Sequence, residues 1–120
     1  MVASTSSTQF EDAEAQLAEA RVRGARGQLV DREWVLMTVR GLTGLLSSVD
    51  ETRSAPILEQ ANVLAAAALA QDEVEFAPLR EDIRRGRYTV DDWRAQMVTR
   101  SALEQDVYTA RLLGLHDPPY

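Results

Sequence analysis

Phe10, Ala13, Leu17, Ala20 and Gly24 recur at intervals of 3, 4, 3 and 4 residues, so a helix through them carries a single narrow apolar stripe. Most of that stripe is small, which requires its partner helix to come close. Helical spacing returns in Trp34, Val35, Val39, Leu42, Leu45, Leu46 and Val49. It returns again in Ile57, Leu58, Ala61, Leu64, Ala65, Ala68 and Leu69, and finally in Trp93, Met97, Leu103, Val107 and Ala110. Strand formers nowhere alternate over a useful length, and 17 alanines stand against two isoleucines. The fold class that follows is all-α: a small bundle of four to five helices, arranged as two αα-hairpins if an internal repeat is real.

Capping and breaking residues punctuate the pattern. Thr8 and Glu11 have capping-box spacing, opening a helix over about residues 9–25 that Gly24 and Gly27 close. A second helix begins near Asp31. Gly41 and Gly44 lie inside it, each costing roughly 1 kcal/mol relative to alanine, and a close helix crossing there would offset that cost. Pro56 suits the first turn of a third helix, whose ANVLAAAALA run is expected at the centre of the core. Asp72 to Glu75 is expected to end it, with Pro78 starting a shorter helix that carries Leu79 and Ile83 up to Gly86. A last helix is expected from Val90 to Leu113, stopped by Gly114. The organisation is thus a flexible N-terminal arm at 1–8, one helical domain at 9–115 and a tail at 116–120.

An internal echo supports the hairpins. Residues 26–34, RGQLVDREW, align with residues 85–93, RGRYTVDDW, at an offset of 59 residues. Each has a glycine after an arginine, an apolar residue two places on, and an acid directly before a tryptophan. Thr89 and Asp92 can form a capping box. Duplication and independent hairpin chemistry both account for the echo, and both make Trp34 and Trp93 core anchors.

The chain excludes several kinds of chemistry. No cysteine means no disulfide, thiolate metal site or cysteine nucleophile. His116, the only histidine, cannot supply a multi-histidine metal site, and a serine–histidine triad would rest on a tail residue. The acids Asp72, Glu73, Glu75, Glu81 and Asp82 lack the Glu-x-x-His spacing of helical metal sites. Their metal- or small-molecule-binding reading is therefore weaker than a solvated surface. No phosphate loop or nucleophile elbow is present. The expectation is a protein with no catalytic residues, no metal and no cofactor. The N-terminus lacks the basic and apolar regions of a signal peptide, and no run of apolar residues is long enough to span a membrane, so the expected location is cytoplasmic.

Charge bears on partners. A net charge of -6 argues against nucleic-acid binding by the whole chain. Arg80, Arg84, Arg85 and Arg87 form a candidate basic patch, interrupted by Glu81 and Asp82. All 13 basic residues are arginine and none is lysine. A GC-rich genome and arginine's suitability for interfaces both favour that choice, and the second assigns Arg21, Arg26 and Arg32 to an interface with Phe10, Leu17 and Trp34.

Residues 17–46, LAEARVRGARGQLVDREWVLMTVRGLTGLL, resemble the helical hairpin of phage small-terminase subunits. The matching connector positions are Gly27, Leu29, Val30, Arg32 and Glu33, followed by Val35. The resemblance implies a hairpin that assembles a ring feeding DNA to a packaging motor, and a virion-associated location. With only about eight polar residues before the first expected helix, the family's N-terminal helix-turn-helix domain is expected to be missing. The expected function is a non-enzymatic helical assembly protein, a phage packaging or virion component that associates with itself. The alternative is a small acidic binding partner of another protein, of the inhibitor, immunity or antitoxin kind.

Overall fold

The computed structural model describes residues 2–115, with side chains from Gln9 onward. Met1, the side chains of residues 2–8 and the 116–120 tail with His116 lie outside the described residues; the backbone of the expected arm is helical from Val2, so α1 begins before the expected start near residue 9. The fold is all-α, with five helices and no strand among the described residues: α1 (Val2–Arg26), α2 (Leu29–Leu46), α3 (Glu51–Arg84), α4 (Val90–Met97) and α5 (Ala102–Leu113). None of these helices is long and apolar enough to cross a membrane. The chain divides into two compact units, one through Ala68 and one from Leu69.

The first unit is the α1–α2 hairpin with the first part of α3. Gly27, in the left-handed region at φ 69°, turns the chain between α1 and α2. Gly27 N–H donates to Gly24 O at 3.2 Å, and Arg32 Nη2 reaches back to Gly27 O at 2.7 Å, which fixes the turn. The α1 stripe is buried at Phe10, Ala13, Leu17 and Ala20, facing a core shared with Val35, Leu36, Val39, Leu42 and Leu46 of α2. Ser54, Ile57, Ala61, Ala65 and Ala68 are the buried positions α3 contributes here. At Gly24 the packing is ordinary rather than unusually close: an added Cβ would lie 3.8 Å from side-chain methyls of both Leu64 and Val35.

Several expectations for α2 and α3 are corrected. No helix crosses α2 at Gly41 or Gly44; an added Cβ would meet nothing within 4 Å at either glycine. Leu45 is exposed, because it lies at the margin of the face that buries Val35, Val39, Leu42 and Leu46 rather than within it. α3 begins at Glu51, so Pro56 is not in its first turn, and the helix runs without interruption through Asp72, Glu75 and Pro78 to Arg84. Nor is ANVLAAAALA a fully buried centre: Ala61, Ala65 and Ala68 are buried, whereas Asn62, Val63, Ala66 and Ala67 are exposed. Its buried positions 54, 57, 61, 65, 68, 72 and 76 step by 3, 4, 4, 3, 4 and 4. That is an 11-residue repeat, close to the 3.6-residue turn, so one face stays inward along the whole run. Pro78 is exposed, so the carbonyl its missing N–H leaves unbonded is on the wet side of the helix.

The second unit comprises residues 69–84 of α3 with α4 and α5. Gly86 and Gly114 end α3 and α5 in the left-handed region, at φ 73° and 70°. Each closes a double bond pattern: Gly86 N to Ile83 O with Arg87 N to Asp82 O, and Gly114 N to Arg111 O with Leu115 N to Ala110 O. Thr89 and Asp92 form the expected capping box of α4. The last helix, expected to run unbroken from Val90 to Leu113, is instead divided at residues 98–101. Ser101 Oγ accepts the Glu104 N–H to start α5, and Gln105 Nε2 donates to Met97 O and Arg100 O across the break. Leu103, in the first turn after that break, consequently points to solvent rather than inward.

The echo of 26–34 in 85–93 reaches as far as the glycine conformation and no further. α2 starts at Leu29 behind Gln28, which makes no side-chain cap bond, whereas α4 starts two alignment positions later behind a full capping box.

One substitution gives opposite outcomes at two of these glycines. Gly41→Ala, with room for a Cβ, is expected to raise the unfolding free energy by about 1 kcal/mol. Gly86→Ala, which also has room but needs a positive φ, is expected to lower it by about 1–2 kcal/mol. Urea unfolding at low micromolar concentration measures both.

Candidate functional site

The residues assigned to an interface fall into two groups. Phe10 and Leu17 are buried in the first unit's own core, so neither is open to a partner. Arg53 of α3 stacks over the Phe10 ring, with its guanidinium carbon 4.3 Å from the centroid. Trp34 is half-buried beneath Arg23 of α1, at 4.1 Å. Arg32 is held to the turn carbonyl of Gly27, Arg21 donates to Gln60 of α3, and Arg26 is exposed at the end of α1. Arg32 therefore braces the hairpin turn and Arg21 ties α1 to α3, and of the six residues Arg21 and Arg26 are the exposed ones.

Leu45, which sequence spacing placed inside, lies outside. Met37, Gly41, Gly44 and Leu45 share the face of α2 that points away from Val35, Val39 and Leu46. Met37 is 65% exposed and Leu45 48%, and with no Cβ at either glycine the helix backbone lies bare between them. This strip was legible only as two unexplained glycines, because the spacing of Leu45 alone fits either face.

In the second unit, the expected basic patch is dispersed into pairs. Arg80 turns inward, donating from Nε to Leu112 O at 3.0 Å and from Nη2 to Arg111 O at 2.7 Å, and pairing with Glu73 at 2.8 Å. It thereby satisfies carbonyls at the end of α5, where the helix dipole favours a cation. Arg84 and Arg85 both pair with Glu81, at 2.5 and 2.7 Å, and Arg87 is exposed. The acids share in this arrangement. Asp72 is buried, with Oδ2 at 3.5 Å from Nε of the fully buried Arg111. Among the described residues no group of three or more histidine or acidic side chains is placed to hold a metal.

Around that pair the second unit has a polar interior. Phe76 meets Tyr108 edge-on at 5.4 Å, and Arg100 stacks on the Tyr108 ring at 4.4 Å. Tyr108 and Tyr88 share a hydroxyl–hydroxyl hydrogen bond of 3.2 Å, and Trp93 Nε1 donates to Thr109 Oγ1 at 3.0 Å. Burial, reinforced by the bond to Tyr108, holds the Tyr88 phenol well above the usual tyrosine range. Beside Trp93 and Tyr88 an almost wholly apolar cleft of about 240 Å³ opens. Nothing in this constellation pairs a nucleophile with a base.

No protein-family model, no curated protein and no solved structure matches this chain.

Two measurements probe the polar interior. Asp72→Ala leaves the Arg111 guanidinium buried without its carboxylate and is expected to cost about 3–5 kcal/mol in chemical denaturation; Asp72→Leu with Arg111→Met is expected to recover most of it. In an alkaline titration followed by tyrosinate absorbance, Tyr88 is expected to ionise after the ordinary tyrosine range. Because its folded-state pKa is the raised one, the stability it contributes is complete below the unfolded value near 10 and is lost as pH climbs above it.

Proposed function

We propose that this chain is a non-enzymatic helical assembly protein that associates with itself through the outward strip of α2. The observation that carries this reading is the pair Gly41 and Gly44 on an exposed face flanked by Met37 and Leu45. Two mid-helix glycines cost about 2 kcal/mol together, and among the described residues nothing packs against them in return. A second helix laid along the strip could approach the backbone closely there and bury both flanking apolar side chains. The likeness of residues 17–46 to the small-terminase hairpin points the same way, since that hairpin is an assembly element. A phage packaging or virion role is the specific form of this proposal.

A second reading has its own observation. Glu11, Asp12, Glu14 and Glu19 are all exposed along α1, and the chain's net charge is -6. These suit a basic protein partner, as an inhibitor, immunity or antitoxin-like protein would have.

Size-exclusion chromatography with light scattering at tens of micromolar distinguishes the two. Self-association is expected, weakened at least tenfold by Gly41→Leu or Met37→Asp. A clean monomer overturns the assembly reading, and co-purification of a basic protein with that monomer supports the second.

A further inference from the structure

We propose that the cleft between the end of α3, the start of α4 and the end of α5 binds a small uncharged apolar molecule of one or two rings. This site belongs to the second unit and is independent of the self-association reading.

The walls are Ile83, Tyr88, Val90, Trp93, Leu112 and Leu113, with the carbon atoms of Thr89 and Thr109 completing them. The surface they present to the cleft is almost entirely carbon. At about 240 Å³ the space exceeds the roughly 150 Å³ apolar cavity that accepts benzene, and falls short of the 300 Å³ at which drug-sized pockets begin. One ring fills part of it and two fused rings fill most.

The polar atoms of the walls are already engaged. Trp93 Nε1–H is given to Thr109 Oγ1, the Tyr88 hydroxyl is bonded to that of Tyr108, and Thr89 Oγ1 is held in the capping box with Asp92. These bonds fix the aromatic walls before any ligand arrives, which lowers the cost of ordering them. They also leave no donor or acceptor aimed at the cleft. A charged or strongly hydrogen-bonding ligand would lose its water there without compensation, whereas an apolar one gives up nothing. Recognition therefore rests on shape and dispersion.

The mouth supports the same conclusion. Leu112 is buried at the floor, while Val90, Leu113 and Ile83 are 61, 54 and 37% exposed around the opening. Three large apolar side chains gathered around one cleft would be partly shielded from water by an apolar occupant.

The test is a two-dimensional ¹H–¹⁵N NMR titration of the full chain with toluene and naphthalene, against benzoate and benzylamine. The Trp93 indole N–H, identified by its loss in Trp93→Phe, is expected to shift saturably with the two hydrocarbons. The Trp34 indole, in the other unit, is expected to stay in place. Benzoate and benzylamine are expected to bind at least tenfold more weakly. Leu113→Glu and Ile83→Glu, each an exposed position at the mouth, are expected to weaken hydrocarbon binding at least tenfold while the remaining spectrum stays that of the folded chain. Absence of a saturable Trp93 shift, an equal shift of Trp34, an equal response to the charged compounds, or unchanged binding in both mouth variants overturns the proposal.

Discussion

A fully buried guanidinium, Arg111, sets the terms for the second unit. An arginine cannot shed its charge to enter a protein interior, so the fold must bring it an anion. Asp72 supplies that anion from α3, and the consequence runs back along the chain. Asp72 has to lie on the inward face, one step after Ala68 and one before Phe76. The helix therefore continues through an acidic stretch that would otherwise be a good place to stop. Arg80, two turns further on, reaches the carbonyls of Arg111 and Leu112, so the same two helices are tied at a second point by a different bond type. Tyr108, a turn before Arg111, completes the arrangement with Phe76 on one side and Tyr88 on the other.

This explains where sequence reasoning succeeded and where it did not. Several local signals held: the α1 stripe, the left-handed glycines at 27, 86 and 114, and the Thr89–Asp92 box all depend on residues a few positions apart, whereas Thr8 and Pro56 do not start their helices. The end placed at Asp72–Glu75 failed because the reason for continuing lies in Arg111, 39 residues on, and composition makes three acids near a proline look like solvated chain. The undivided last helix failed for the opposite cause. Ser101 and Glu104 carried a local start signal, but the apolar spacing of Trp93, Met97 and Val107 bridged the break and concealed it. For the candidate sites, Arg32 and Arg80 stood out in the sequence as surface arginines, whereas Arg23, Arg53 and Arg100 did not stand out at all. Arg32 and Arg80 face their own backbone, and Arg23, Arg53 and Arg100 cover aromatic rings.

Those uses give the absence of lysine a structural side. A planar guanidinium can lie flat on Trp34, Phe10 or Tyr108 while its edge still meets water, and it can offer Arg80's two donors to adjacent carbonyls. A lysine ammonium does neither equally well. These contacts are where an arginine-to-lysine exchange would be felt.

The buried alanines of the first unit carry one further consequence, for how such a sequence can drift. Ala13, Ala20, Ala61 and Ala65 have almost no exposure, so each small side chain is packed on every side. Glycine at any of them would open a void and loosen a helix, while valine or leucine would push two helices apart. Change in either direction is closed unless a facing residue changes with it. Descendants of this chain are expected to vary freely along the outer faces of α1 and α3 while these alanines move only in compensated pairs, so that paired substitution, rather than overall similarity, is the trace by which distant relatives would be known.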